Sequence, residues 1–244
     1  MQSLEAELAE ARALDVAALA DAVETIGFEC TRCGACCKSE ADDPHTATVF
    51  PDEVRRLQAA AGEAVDEDAD GAGDHGAATA TDRDWRDVAR PMPYGLTDGP
   101  DGPEGETFEW ALGTDACGDC VFYEEDADGV GACGVHADRP LICETYPFSV
   151  ALGGTSQPMG EAVDAEGMVR AHECEGPGRD IDRADAESLA AALKERAVRE
   201  LEEAIGVRDA YEPREVGAGD AVVHDSEGAK DADGRPLGPP AERD

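Results

Sequence analysis

The sequence predicts an α+β fold of short strands and irregular loops gathered around clustered cysteines, with an amphipathic helix toward each end. Three observations carry this expectation. Apolar residues recur at helical spacing near the N-terminus and again between residues 185 and 209. The chain between them is broken by glycine and proline and alternates only briefly, as short strands do. Nine cysteines fall in that middle region, several of them spaced as C-x-x-C.

The elements follow in order. Leu4, Leu8, Ala11, Ala18, Leu19, Ala22, Val23 and Ile26 recur mostly at three- and four-residue steps, which places one amphipathic helix within residues 1–27, ended by Gly27. Residues 28–180 form the cysteine-bearing domain. Within it, Ala47 to Phe50 reads as a short extended piece, and Pro51-Asp52-Glu53 opens a helix with proline and acids in its first turn. Residues 62–84, rich in Gly, Ala, Asp and Glu, bury too little apolar surface to offset their ordering entropy and read as a mobile acidic insertion. Pro91, Pro93, Gly95, Gly99, Pro100, Gly102, Pro103 and Gly105 make a loop, and Phe108 to Leu112 a short alternating strand. A second helix, carried by Leu189, Leu193, Ala197, Leu201, Ala204 and Ile205, occupies residues 181–212, and 213–244 reads as a largely disordered acidic tail with a short extended piece at Ala221-Val222-Val223.

Composition narrows the function. Asp and Glu number 57 against 20 Lys and Arg, a formal net charge of -37. Nucleic acids and anionic membrane surfaces are polyanions that such a chain repels, so neither is an expected partner. The acids are spread through every segment and read as a solvated surface of the kind that concentrated salt screens, pointing to a high-salt cytoplasm. No signal-peptide pattern and no apolar run near ~20 residues is present, so the expected location is cytoplasmic. In a reducing compartment, clustered cysteines bind metal or do redox chemistry in preference to forming structural disulfides.

Cys30, Cys33, Cys36 and Cys37 form C-x-x-C-G-x-C-C, with Gly34 letting the backbone fold close beneath the sulfurs. Cys117, Cys120, Cys133, Cys143 and Cys174 follow, Cys117 and Cys120 making a second C-x-x-C. Thiolates from distant segments commonly close one metal site, so the two sets are expected to meet in space. A lone cysteine such as Cys117 is as readily a small buried apolar residue. His136 and His172 stand near Cys133 and Cys174, close enough in sequence to ligate, with a supporting or surface role the simpler reading; His45, His75 and His224 receive no role. The donor set suits zinc or iron, or an iron-sulfur cluster, and the spacing of Cys30, Cys33 and Cys36 is shared by both chemistries.

The run from Phe28 to Cys37, Cys120-Val121-Phe122-Tyr123, Gly131-Ala132-Cys133-Gly134-Val135-His136 and Arg139-Pro140-Leu141-Ile142-Cys143-Glu144-Thr145-Tyr146-Pro147-Phe148 together resemble the YkgJ-type cysteine-cluster family, described as zinc- or iron-chelating. The resemblance spans roughly residues 25–180 and implies eight metal-binding positions: Cys30, Cys33, Cys36, Cys37, Cys120, Cys133, Cys143 and Cys174. Cys117 is left over. Glu144 stands where that family usually has arginine; Arg139 is the residue able to restore positive charge by hydrogen bonding to a thiolate or a carboxylate. Tyr146 and Phe148 are expected to pack in the core.

The chemistry-bearing residues are all potential ligands or their shell, and no nucleophile-elbow, zincin, P-loop or dinucleotide fingerprint is present. A metal-binding module is therefore the leading expectation. An iron-sulfur enzyme that modifies proteins, by similarity to flagellin lysine N-methylases, and a thiol redox protein working through Cys117 and Cys120 or through the vicinal pair are the alternatives.

Overall fold

The computed structural model describes residues 2–39, 45–63, 83–100, 102–126, 130–152, 162–164 and 167–238. The expected mobile insertion lies outside the described residues apart from its edges, as does His75. The fold is α+β. Five α-helices are described: α1 (Leu4–Ala13), α2 (Val16–Ile26), α3 (Pro51–Glu63), α4 (Leu141–Thr145) and α5 (Arg183–Ala210). The strands are β1 (Thr48–Val49), β2 (Ala89–Pro91), β3 (Leu96–Gly99), β4 (Gly102–Thr107), β5 (Trp110–Leu112), β6 (Tyr123–Glu125), β7 (Gly131–Cys133), β8 (Phe148–Val150), β9 (Ala162–Asp164), β10 (Val169–His172), β11 (Ala221–Asp225) and β12 (Gly228–Asp231).

The N-terminal segment differs from the single helix expected. Leu14 leaves helical geometry at ψ 132°, and Asp15 caps a new helix by accepting hydrogen bonds from the backbone N–H groups of Ala17 and Ala18. A short acid at an N-cap outcompetes helix continuation by satisfying donors that the first turn leaves orphaned. The break folds α1 and α2 separately onto α5, a 28-residue helix begun by the Asp182 cap.

Two hydrophobic cores result. The first joins Leu8, Leu19 and Val23 from α1 and α2 with Phe148 and Val150 of β8, Val169 and Ala171 of β10, and Leu193, Ala197 and Leu201 of α5. The second joins Val49, Val54, Leu57, Val88, Trp110, Leu112, Phe122 and Val223 around the antiparallel sheet β1-β5-β2. Buried Arg196 ties α5 to α4: its Nη1 donates to Thr145 Oγ1 at 3.0 Å, while its Nε donates to Glu200 of its own helix at 2.7 Å.

Two regions read as irregular are strands. The glycine- and proline-rich stretch after Pro91 forms the β3-β4 hairpin, turning between Gly99 and Gly102, and the region expected to be a disordered tail forms the β11-β12 hairpin. β11 pairs in parallel with β4, completing the sheet β12-β11-β4-β3. What secures this tail is burial of polar groups as well as apolar ones: Val223 enters the second core, while Asp225 accepts from Trp110 Nε1 at 2.9 Å and from Lys230 Nζ at 2.6 Å. Among the described residues no helix is long and apolar enough to cross a membrane.

Candidate metal centre

The cysteine site draws on five segments, four of them joined by backbone hydrogen bonds and the fifth, α4, by a buried carboxylate. The loop of Cys30 to Cys37 turns sharply: Arg32 has φ 56° and Gly34 φ 74°, and a 3-10 turn over Ala35–Cys37 closes it with Cys37 N–H donating to Gly34 O at 2.9 Å. A methyl group on Gly34 would lie 2.5 Å from the Tyr123 ring, so only glycine lets the loop sit on β6. Gly131 N–H donates to Arg32 O at 3.0 Å and Cys120 N–H to Cys37 O at 2.8 Å, which fastens the loop to the segments bearing Cys133 and Cys120. On its other side, Phe28 bridges Pro177 and Glu29 N–H donates to Gly176 O at 3.3 Å, bringing up Cys174, whose sulfur accepts from Gly176 N–H at 3.3 Å.

Cys143 arrives on α4, placed by Glu53, which the sequence analysis reads only as an acid in the first turn of a helix. Glu53, 1% exposed, accepts at Oε2 from Phe50 N–H (3.1 Å) and at Oε1 from Leu141 N–H (3.0 Å), so one carboxylate caps α3 and pins α4. Burial pushes its carboxyl above the usual range. Tyr146 donates its hydroxyl to Glu173 O, next to Cys174, and Phe148 packs edge-on against Phe28 with centroids 5.5 Å apart, in keeping with the core role expected of it.

The structure thus gathers all eight sequence-predicted cysteines in one region, and their thiols act on one another. Burial is the main cause pushing Cys120 up to about 11 and raising Cys133, Cys143 and Cys174; neighbouring thiolate charge adds to each. Cys36 runs the other way. Its sulfur lies 3.9 Å from that of Cys37, and the Cys37 thiol donating to it holds Cys36 down to about 7, with help from the charge of Arg139, while Cys37 is driven up. Arg139 itself pairs with His136 Nε2 at 2.7 Å, a partner different from the thiolate or carboxylate expected. Beside Cys30 an open cleft of about 500 Å³ is lined by Phe28, Arg139 and Glu144 among others.

Cys117 stands apart on an exposed loop, its carbonyl accepting from Ser39 Oγ. His172 is buried with Nε2 2.8 Å from Ser149 Oγ. His45 is also buried, beside the backbone of Cys36, although its polar sequence neighbours gave no such signal.

Among the described residues no three His, Cys, Asp or Glu side chains are drawn tightly enough to close on a single ion. The fit to a thiophilic metal is therefore one of donor chemistry: eight thiols, mostly half-buried or buried, among which Cys120, Cys133, Cys143 and Cys174 are costly to deprotonate unless a cation neutralises them.

A family model described as "Putative zinc- or iron-chelating domain" (CxxCxxCC) matches residues 29–175. No curated protein and no solved structure matches the chain.

Proposed function

Because this chain belongs to the CxxCxxCC zinc- or iron-chelating domain family, we propose that it is a metal-binding protein whose centre is ligated by the thiolates of Cys30, Cys33, Cys36, Cys37, Cys120, Cys133, Cys143 and Cys174. The observation that carries the reading is the convergence of these eight residues from five separate segments, with neighbouring sulfur charge acting on Cys37, Cys143 and Cys174. Burial and neighbouring sulfur charge disfavour the thiolate form of Cys120, Cys133, Cys143 and Cys174, so a bound cation that replaces their protons also relieves that cost and couples metal binding to the local fold. Zinc supplies a closed structural node and iron, with or without sulfide, a redox-capable one. Tyr146, Phe148 and Phe28 form the apolar wall that limits water at such a centre.

The test is anaerobic purification followed by iron, zinc and acid-labile sulfide per chain. Stoichiometric metal, lost on substituting the cysteines, supports the reading; protein that holds no metal and takes up none sinks it. Sulfide with iron assigns a cluster, and zinc alone a structural node.

One observation favours a second reading. The Cys36 thiol is held below its ordinary value by a thiol neighbour 3.9 Å away, the arrangement of a reactive dithiol. A thiol redox protein of this kind loses two thiols reversibly to mild oxidant in the metal-free state and none when loaded. Protein whose thiol count is unmoved by oxidant without metal ends that alternative.

A further inference from the structure

The open cleft of about 500 Å³ beside Cys30 is of the size that ligand sites have, about 300–1,000 Å³. Its walls come from the cysteine loop, α4 and the head of α5. The floor is apolar: Phe28, Ile181 and Leu189 line the cleft while packing, half-buried, against the first core.

Around this floor the rim is acidic. Glu29 of the cysteine loop, Glu144 of α4, and Asp180, Asp182 and Asp185 at the head of α5 are five of the eleven lining residues. Acids are 57 of 244 in the whole chain, so the rim is about twice as acidic as the general surface charge explains. The basic residues nearby are engaged elsewhere. Arg139, the one base in the lining, pairs with His136 Nε2 at 2.7 Å, and Arg183 serves Asp21, Glu24 and Glu187 outside the cleft. Arg179 reaches Glu29 only at 3.9 Å, and among the described residues Glu144, Asp180 and Asp185 make no ion pair. Asp182 and Asp185 also occupy the N-cap and first turn of α5, where they offset the positive helix end that would otherwise draw an anion.

An apolar floor inside a ring of carboxylates selects an amphipathic cation. We infer that the cleft docks a basic segment of a partner protein, with one apolar side chain on Phe28, Ile181 and Leu189 and lysine or arginine on either side of it facing the rim. The carboxylates stand on three separate segments, an arrangement that an extended chain can follow and a compact cation cannot. A docked segment lies against exposed Cys30 and so brings the partner to the edge of the thiol cluster. The inference goes beyond the metal-centre reading and holds whichever metal is bound.

The test titrates full-length protein, as purified, into a fluorescently labelled peptide with one leucine flanked by paired lysines, read by anisotropy at fixed salt. The expected result is saturable one-to-one binding. Glu144→Lys/Asp180→Lys should weaken it about tenfold or more, and Asp98→Lys/Glu195→Lys, the same charge change at exposed positions off the cleft, by less than about twofold. Serine in place of the peptide's leucine should weaken binding about tenfold, a comparison that leaves the protein untouched. Absence of saturable binding overturns the inference. Equal weakening by the two double variants reduces it to the acidity of the whole surface, and full affinity of the serine peptide removes the apolar floor; either result overturns it. Spermidine displacing the peptide at equal concentration makes the occupant a free polyamine and overturns the protein segment. The metal content of the same samples is measured separately, so a failure of docking leaves the metal-centre reading standing.

Discussion

Gly34 has no room for a side chain. Its φ of 74° is one that L-residues rarely adopt, and an added Cβ would meet three atoms of the Tyr123 ring at 2.5 to 2.7 Å. Gly34→Ala should therefore destabilise the protein by about 1–3 kcal/mol through backbone strain alone, with displacement of Tyr123 added, and should weaken metal uptake; a thermal melt with a metal titration measures both. Truncating Tyr123 to alanine in the same chain should restore only part of the loss, because the backbone strain remains. Full restoration would place the whole penalty in the ring. The eight cysteines and this glycine were legible as residues because their spacing is local. His45 and Glu53 were not: one lies among polar neighbours and the other in the first turn of a helix, and His45 reaches the Cys36 backbone and Glu53 the Cys143 thiol only through contacts that no spacing along the chain encodes.

Between elements, two carboxylates fasten neighbouring segments in ways that can be tested. Glu53 satisfies the N–H groups of Phe50 and Leu141, and replacing it with alanine leaves both donors without that partner, at about 1–3 kcal/mol for each one buried. Glu53→Ala should lower the denaturant midpoint accordingly and speed alkylation of Cys143 in the metal-free protein, since α4 loses its anchor; an unchanged alkylation rate would mean that α4 is held by the Arg196 side alone. Glu227, in the turn of the β11-β12 hairpin, is held down to about 2 from an ordinary value of 4.5, first by Arg55 of α3 and then by Lys230. A carboxyl with a lowered folded-state pKa contributes stability that is complete above the ordinary value and fades as pH falls toward the lowered one. The stability gap between wild type and Glu227→Gln should thus be constant above about pH 4.5 and close toward pH 2. A gap that survived at the acidic end would count against the ion pair. At this scale the long helix at the C-terminal end and α3 were readable from periodicity, because each has an apolar stripe and a polar opening residue. The β3-β4 and β11-β12 hairpins were not, since their glycines and prolines signal loops and their strands owe burial to partners more than 100 residues away in the chain.

For the molecule as a whole, the net charge of -37 sets a self-repulsion that the folded state must withstand. Raising potassium chloride from tens of millimolar to molar concentration shortens the screening length from about 30 Å or less to about 3 Å. The melting temperature of the metal-loaded protein should rise over that range, and rise more than in an uncharged osmolyte of equal osmolality; equal effects would remove electrostatic screening as the cause. The cysteine motifs also have an order in time, set by the placement of Cys30 and Cys174 at opposite ends of the cysteine region and of Asp225 beyond it. A ribosome adding about 5–20 residues per second delivers the first four thiols on the order of ten seconds before the last. Trp110 waits longer still for the carboxylate that accepts from its indole N–H, because Asp225 follows it by 115 residues in the chain. The nascent chain therefore exposes its most metal-attractive peptide well before the cradle around it exists, and assembly of the centre is a late event in the life of each new molecule.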